Sequence, residues 1–503
     1  MRKITVANAR YRTPALPEHQ RNPLISAMPD LINPARLRQV LTRVPVVPEL
    51  DGMDNKNRMI LAKRIRNILV PTNIFRDFYH ALYHLIIVGY ESRNPLDPQV
   101  VEWHYDVADP TISLETLVDE DRLNQSDVDT TCEHLFLTGL SGVGKSAIKN
   151  SILATCFPDV IIHNREDFDE IQIVQLHCEM PHDGSRGTLL KNLMEGFDNA
   201  LRSVEKTNFL EQVQPSLARS ATIGAMESFL KSLCVKYHVG VIIVDEFQNI
   251  NVASAPDKNK MRQLFDNMSN MLNVPFVKIG TTDSLSLFQS KFRHGRRAGE
   301  TLEVSPYIRI PQKVESDGKL PTKANNKGRD WDNLVHALFP FQVTKKPIEF
   351  TERWDAELYR LSCGIPYVLF TLWQEAQIDA IRSGSETLTI KRLNYVFQHR
   401  FKLIKTALNA LRKRKMGQFQ DLLTINQLFD KNEADAAIKQ LSIFVEKENF
   451  SGPAATEILD GVEVLTEDFT LNPTQKSRLA AVKAKLEQRA QPVLKGQTIE
   501  HKD

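Results

Sequence analysis

The octapeptide Gly139–Ser146, which reads Gly-Leu-Ser-Gly-Val-Gly-Lys-Ser, constrains the fold of this chain more than any other feature. It fits the pattern G-x-x-x-x-G-K-[ST], with a β-type run at Leu135–Leu137 before it and a helical run at Ala147–Thr155 after it. Glycines let successive N–H groups point at a phosphate, and the following helix adds its positive dipole. The predicted phosphate-binding residues are Gly139, Ser141, Gly142, Val143, Gly144, Lys145, Ser146 and Ala147.

A second motif, which contains two acidic residues, completes the expected site. Val241–Val244 form a β-branched run that predicts a buried strand, and Asp245 and Glu246 follow it directly. We expect Lys145 to contact the β- and γ-phosphates of ATP, and Ser146 and Asp245 to hold Mg²⁺. Glu246 is the predicted catalytic base, because a carboxylate at this position can polarise a water molecule. The alternatives are a plain Gly/Ser turn and an Asp-Glu pair that only caps a helix.

Two further groups of residues are catalytic candidates. The strand predicted at Phe276–Ile279 should lie between the two motif strands, which places Thr281 near the γ-phosphate. Thr281 could instead only cap a helix that begins near Ser284. Arg296 and Arg297 lie in a Gly-rich basic segment, and such arginines stabilise phosphoryl charge in a neighbouring subunit of ring ATPases. An ordinary solvated basic turn is the alternative for this pair.

Composition restricts the cellular setting but not the partner. The 64 Lys and Arg residues nearly balance the 62 Asp and Glu residues, so any DNA contact must come from a local patch. The five cysteines contain no C-x-x-C pair, which argues against a disulfide framework and a thiolate zinc site. The first residues lack the apolar run of a signal peptide, and no run is long enough to cross a membrane. We therefore expect a cytoplasmic protein that is not bound to a membrane.

The order of patterns along the 503 residues predicts four parts. Seven prolines in residues 1–50 predict an extended arm, and two helices broken at Pro71 follow it. Strand-like runs separated by helical ones predict a parallel α/β sheet. These strands are expected at His134–Leu137, Ile171–Leu176, Val241–Val244, Phe276–Ile279 and Tyr307–Ile310.

Helical segments are expected at Trp331–Phe339, Ala356–Leu361, Tyr367–Ile381 and Ile390–Leu411. We therefore predict an N-terminal arm and helical segment over 1–103, an α/β core over 104–320 and a helical lid over 321–415. A partly disordered partner-binding extension is expected over 416–503, because its last part has few large apolar groups.

An ordered series of short motifs resembles the AAA+ regulators of transposition, the TnsC and TniB group, and especially TnsC of Tn-seven-type elements. The resemblance spans roughly residues 8 to 415. Its motifs are Tyr11-Arg12, Arg21–Ile25, Met28-Pro29, Gly89-Tyr90, Arg93–Pro95, Val244–Gln248, Val274-Pro275, Ile279–Thr281 and Arg296-Arg297.

The resemblance implies an AAA+ P-loop NTPase core, with a parallel sheet and flanking helices, that uses ATP and Mg²⁺. It implies a homo-oligomer, either a ring or a helical filament, around double-stranded DNA in a bacterial nucleoid. That oligomer would connect a TnsD- or TniQ-like target selector to a TnsA/TnsB-like transposase.

The resemblance also suggests where DNA could be contacted and where the chain departs from related proteins. Arg186 and Lys191, in and after the loop that follows the second core strand, could meet backbone phosphates. A solvated loop is the alternative for both residues. Gly364-Ile365-Pro366 is followed by Tyr367, where many AAA+ proteins carry an arginine, so no second-sensor arginine is assigned there.

Two other functions fit the same nucleotide-binding motifs. One is a different AAA+ DNA machine, of the origin-binding or helicase-loading type. The other is a STAND-type signalling switch, which usually carries a long repeat sensor. The roughly 90 residues after the predicted lid leave little room for such a sensor.

Overall fold

The fold is that of a computed structural model, which describes most of the first 412 residues and little beyond them. The described residues are 4–98, 100–101, 134–204, 222–252, 257–258, 260–265, 274–285, 300–309, 329–402, 404–412, 477, 480–485 and 487. The chain divides into two compact units. The first contains Met1–Tyr359 and Gly364–Thr389, and the second contains Arg360–Cys363 and Ile390–Asp503.

A five-stranded parallel sheet forms the centre of the first unit, in the order β5-β6-β7-β2-β8. Its strands are β2 (His134–Gly139), β5 (Gln175–Glu179), β6 (Val241–Asp245), β7 (Phe276–Ile279) and β8 (Glu300–Val304). The three central strands are almost wholly buried, as expected for a parallel sheet covered on both faces. This architecture is the predicted α/β fold, and β7 lies between the two motif strands as predicted.

The predicted strand at Tyr307–Ile310 is wrong for residues 307–309, while Ile310 lies outside the described residues. The fifth strand is β8 instead, whose sequence is Glu-Thr-Leu-Glu-Val. Among the described strands it pairs only with β2, so it forms one edge of the described sheet. An edge strand needs no apolar pattern on both faces, which is why the sequence did not indicate it.

Helices pack on the sheet between the strands. They are α5 (Asn73–Glu91), α6 (Lys145–Cys156), α7 (Arg186–Arg202) and α8 (Ile223–Lys236). Leu190, Met194 and Phe197 from α7 and Leu230 from α8 share one buried cluster with residues of β5 and β6. Burial of such side chains stabilises the unit by about 1.5–3 kcal/mol for each large residue.

The prediction of an extended arm is wrong for residues 6–41, where a strand and three short helices form, whereas residues 44–50 have no helix or strand. Strand β1 (Val6–Asn8) pairs in parallel with β3 (Val160–Ile162), and three short helices follow. These helices are α1 (Pro17–Gln20), α2 (Pro23–Ser26) and α3 (Pro34–Leu41). Each begins with a proline, which suits the first helical position because its missing N–H needs no partner there. Three of the seven prolines therefore start helices in this segment.

A small second sheet joins this N-terminal segment to the core. Its order is β1-β3-β4, and β4 (Ile171–Ile173) pairs antiparallel with β3. The single strand predicted at Ile171–Leu176 is therefore two strands, β4 in this sheet and β5 in the central one. The change of sheet occurs at Val174, whose N–H donates to the carbonyl oxygen of Asp159 over 2.9 Å.

The two helices predicted around Pro71 are confirmed as α4 (Asn55–Ala62), which continues as a 3₁₀ turn over Lys63–Asn67, and α5. The helices after the sheet are α9 (Arg329–Leu338), α10 (Glu352–Ser362) and α11 (Pro366–Arg382), close to the predicted segments. The long helix predicted at Ile390–Leu411 is instead α12 (Ile390–Arg400) and α13 (Lys405–Arg412).

The predicted domain boundaries stay predictions, because residues 102–133, 310–328 and 413–476 lie outside the described part of the chain. The same holds for the disorder expected near the C-terminus. Within the second unit, the Arg360 guanidinium donates to Asn394 over 2.6 Å. None of the described helices is both long enough and apolar enough to cross a membrane.

Candidate nucleotide-binding site

The phosphate-binding loop connects β2 to α6. Its backbone adopts positive φ at Gly139 (150°), Gly142 (83°) and Gly144 (110°), which is the region that glycine occupies without strain. A Cβ atom at Gly139 would approach the Val304 carbonyl oxygen to 2.3 Å, so the edge strand β8 also requires a glycine there. Gly144 lies directly before the first residue of α6 and faces open space. The loop therefore has the shape that the sequence motif predicts.

Lys145 begins α6 and folds back over the loop. Its Nζ donates to the carbonyl oxygens of Gly139 and Leu140, over 2.7 and 2.9 Å. Burial lowers the pKa of the Lys145 ammonium, while the carboxylates of Glu246 and Asp245 act in the opposite direction. The amine thus lies near both acidic residues and within reach of any anion held by the loop.

Asp245 and Glu246 lie at the carboxyl end of β6, two strands from the end of β2. Asp245 forms an ion pair with Lys149, which lies one helical turn after Lys145 on α6. Glu246 has a φ of 53°, an unusual value for a residue other than glycine. Strained backbone of this kind clusters at functional sites.

Thr281 follows β7, between the ends of the two motif strands. Its N–H donates to Gln248 Oε1 over 3.3 Å, and its carbonyl oxygen accepts from the Ser284 N–H over 3.1 Å. Thr281 therefore lies directly before the 3₁₀ turn Thr282–Leu285, which is where a capping residue would lie. Thr281 also lines the cavity that contains the phosphate-binding loop. Its position is thus compatible with a capping role and with a catalytic one.

One cavity of about 1420 Å³ brings these groups together. Its lining includes the loop residues Ser141–Ala147, the acidic pair Asp245 and Glu246, Gln248, and Thr281. A volume of this order accommodates a nucleotide, since ligand sites commonly exceed 300 Å³. The two sequence motifs thus form a single site in the first unit.

The N-terminal segment supplies a wall of this cavity that the sequence analysis missed. Residues 42–45 and 66–70 line it, and Arg43 pairs with Leu69 in an isolated antiparallel bridge. Val44, Pro45 and Ile68 give this wall an apolar character, while Arg43 and Arg66 add positive charge. No local motif indicates such a wall, because it depends on a contact between two segments of irregular backbone.

The start of α11 packs directly on the phosphate-binding loop. The Tyr367 N–H donates to the Gly142 carbonyl oxygen over 3.2 Å. A Cβ atom at Gly142 would lie 3.0 Å from Tyr367 Cβ and 3.3 Å from Ile365 Cγ2, so a larger residue than glycine would be crowded there. Tyr367, at the position where many AAA+ proteins carry an arginine, therefore contacts the loop through its backbone.

The remaining predicted site residues lie away from this cavity or outside the described residues. Arg186 begins α7. Burial raises the pKa of the Glu227 carboxyl, and the positive charge of Arg186 acts against that shift. Lys191 is exposed on the same helix. Arg296 and Arg297 lie in residues 286–299, which the structure does not describe. The roles of all four stay predictions.

The donor set fits ATP with Mg²⁺. The open cradle at Gly144, the Lys145 ammonium and the start of α6 suit a chain of phosphates. Mg²⁺ prefers a few oxygen ligands and keeps several waters, so the Ser146 hydroxyl and Asp245 are a sufficient protein contribution.

The order of the strands in the sheet, the geometry of the phosphate-binding loop and the acidic pair after β6 together define the fold class. It is an AAA+ P-loop NTPase core. Residues 128–288 match a protein-family model described as an AAA domain. This segment includes the phosphate-binding loop, Asp245, Glu246 and Thr281, and it stops before the two candidate arginines. Comparison with curated proteins found no match.

Several solved structures are similar to the chain at low identity. A Walker-type ATPase of Pyrococcus abyssi is 14% identical, with 70% of this chain and 84% of that chain covered and a TM-score of 0.37. The Aeropyrum pernix ORC1 protein, solved in complex with DNA, is 13% identical, with 71% and 78% covered and a TM-score of 0.35. Drosophila ORC bound to DNA is 9% identical, with 88% and 86% covered and a TM-score of 0.38.

Proposed function

We propose that this chain binds and hydrolyses ATP at the cavity between the phosphate-binding loop and the end of β6. The observation that carries the proposal is the convergence of Lys145, Ser146, Asp245 and Glu246 on one cavity. The match of residues 128–288 to an AAA domain also supports it. If the two motifs lay at separate places in the fold, they could not act on the same nucleotide.

Each residue has a distinct role in this proposal. The loop N–H groups and Lys145 bind the phosphates, and Ser146 and Asp245 hold Mg²⁺, which neutralises phosphate charge when bound. Glu246 orients a water molecule and accepts its proton, while Thr281 contacts the same water or the γ-phosphate. Lys149 competes for Asp245, because its ammonium forms an ion pair with that carboxylate.

The wider proposal is an ATP-dependent regulator of DNA transposition that oligomerises on target duplex DNA. Its support is the ordered motif series that resembles the TnsC and TniB group, together with the AAA domain. The oligomer would connect a TnsD- or TniQ-like target selector to a TnsA/TnsB-like transposase. Arg296 and Arg297 would act on the nucleotide of the neighbouring subunit, and Arg186 and Lys191 would contact the DNA backbone.

Hydrolysis is tested by Lys145→Ala and Glu246→Gln, measured for ATP binding and for phosphate release. Lys145→Ala should weaken ATP binding about 10- to 100-fold, since hydrogen bonds to a charged group contribute about 1.5–3 kcal/mol. Glu246→Gln should keep ATP binding and lose at least about 100-fold in phosphate release, because it removes the general base. Lys56→Ala, which changes an exposed lysine of α4 outside the cavity, is the matched control for binding.

Equal ATP affinity in wild type and Lys145→Ala would refute the nucleotide site. Full phosphate release by Glu246→Gln would remove Glu246 from the reaction. The transposition role is tested separately, by co-purification of the wild-type protein with an integrase-fold transposase encoded beside it. Failure of that test would leave the ATPase proposal intact.

A further inference from the structure

The side chain of Gln248 connects the predicted catalytic carboxylate to the end of the neighbouring strand. Its Nε2 donates a hydrogen bond to Glu246 Oε2, and its Oε1 accepts the Thr281 N–H over 3.3 Å. One amide group therefore joins the end of β6 to the end of β7. Gln248 ends the resemblance motif Val244–Gln248, but neither the phosphate-binding pattern nor the acidic pair includes it, and the roles proposed above do not use it.

The local structure fixes where the Gln248 amide lies. Gln248 is in the 3₁₀ turn Phe247–Val252, which is anchored by the fully buried ring of Phe247. Gly280 allows the close approach, because a Cβ atom there would lie 3.2 Å from Gln248 Oε1 and 2.9 Å from Ser284 Oγ. The Gly280 N–H in turn donates to the Leu137 carbonyl oxygen of β2 over 3.1 Å. The connection thus runs from the phosphate-binding strand to Glu246.

Glu246 requires such support. It is exposed, and its positive φ places its side chain outside the regular path of β6. A general base must be held within hydrogen-bond reach of its water, and a displacement of about 1 Å can reduce the rate about 100-fold. A hydrogen bond to one carboxylate oxygen leaves the second oxygen free to accept a proton.

We propose that Gln248 is a positioning residue that orients the Glu246 carboxylate and ties it to Thr281. Its amide is suited to this task because it donates to the carboxylate and accepts from a backbone N–H at the same time. A leucine can do neither, and a carboxylate can only accept. This inference rests on the proposed hydrolysis of ATP at this site.

The test compares Gln248→Leu and Gln248→Glu with wild type. Loss of a residue that orients a functional group typically costs about 10- to 100-fold in activity, so kcat should fall by that factor in Gln248→Leu. The dissociation constant for ATP, measured by calorimetry, should stay within about twofold of wild type, because Gln248 contacts Glu246 and Thr281 rather than the loop.

A conservative replacement separates positioning from a merely structural role. In Gln248→Glu the side chain keeps nearly the same size and length, but its carboxylate can only accept hydrogen bonds and repels the Glu246 carboxylate. The kcat of this variant should therefore fall at least as far as that of Gln248→Leu, while the dissociation constant for ATP again stays within about twofold of wild type.

Asn249→Ala is the control for damage to the 3₁₀ turn. The Asn249 amide donates to the Met180 carbonyl oxygen over 3.0 Å and, in the described contacts, bonds neither Glu246 nor Thr281 through its side chain. Its kcat should match wild type. Wild-type kcat in either Gln248→Leu or Gln248→Glu would overturn the inference while leaving hydrolysis intact. A wild-type protein that binds ATP without hydrolysing it would overturn both.

Discussion

At the scale of single residues, the site depends on charges that neutralise one another at the ends of β2 and β6. Lys145 donates to two carbonyl oxygens of the loop, and Lys149 pairs with Asp245. Both lysines belong to α6, four residues apart, so one helix face supplies both positive charges. The two lysines should therefore differ when they are replaced. Loss of Lys145 should affect phosphate binding at the loop, and loss of Lys149 should affect the Asp245 carboxylate.

Lys149→Met tests the second of these roles. Asp245 would lose its ammonium partner while only 16% of its side chain is exposed, so we expect the free energy of unfolding to fall by about 1–3 kcal/mol. Urea denaturation without nucleotide or Mg²⁺ measures the change. Lys191→Met, on an exposed helical position, should change stability by less than about 0.5 kcal/mol. A loss no larger than that of this control would show that the ion pair contributes nothing.

The sequence predicts the residues that lie within motifs and misses those that depend on a tertiary contact. Lys145, Ser146, Asp245 and Glu246 are fixed by the strand before them and the loop geometry, and all line the same cavity. The link made by Gln248 depends on the close approach of Gly280, which comes from a different strand. No spacing along the chain encodes that approach.

At the scale of elements, the N-terminal segment is part of the packed core. Leu24, Ile25 and Met28 are at most 1% exposed, and Asn22 donates to the Tyr90 carbonyl oxygen of α5 over 2.8 Å. The prolines concealed this packing from the sequence, because a proline that starts a short helix and one that breaks a chain look alike without structure. Helices of four residues also show no clear apolar periodicity.

The contact between this segment and β3 predicts an acid sensitivity. The Tyr11 hydroxyl and His163 Nδ1 are 2.7 Å apart, and His163 Nε2 lies 2.9 Å from Gln172 Oε1. Burial lowers the pKa of His163 from 6.5 to about 4. The unfolded chain therefore binds a proton more readily, so stability is complete above about pH 6.5 and falls as the pH approaches about 4.

The His163 contribution lost over this range is about 3 kcal/mol. Urea denaturation at several pH values should show a shallower acid loss in His163→Gln than in wild type. His84→Gln, which changes an exposed histidine on α5, should keep the wild-type slope. Parallel slopes for wild type and His163→Gln would show that the buried imidazole does not control acid stability.

A buried ion pair joins α4 to the turn after α11. The Arg58 guanidinium donates to both carboxylate oxygens of Glu386 over 2.6 Å, and Arg58 is 0% exposed. Arg58→Met should lower the free energy of unfolding by about 3–5 kcal/mol, because it leaves the Glu386 carboxylate without its partner. Thermal denaturation measures the loss, with the exposed Arg36→Met as control. Equal transition temperatures for both variants would refute a structural role for the pair.

At the scale of the whole molecule, segments that flank the α/β core in sequence share one cavity with the phosphate-binding loop. Residues 42–45 and 66–70 line one side of the cavity, and Tyr367 contacts Gly142 on another. Nucleotide binding would therefore affect the N-terminal segment, the loop and α11 together. Under the proposed function, bound ATP would therefore affect a surface larger than the site itself.

Electron microscopy of the purified protein with short duplex DNA tests the central claim most directly. Wild type with a non-hydrolysable ATP analogue, and Glu246→Gln with ATP, should form rings or helices threaded by the duplex. Lys145→Ala should form neither under either condition, because it binds nucleotide too weakly. Equal assembly by Lys145→Ala and Glu246→Gln, or monomers in every sample, would contradict the claim that bound ATP drives assembly on DNA.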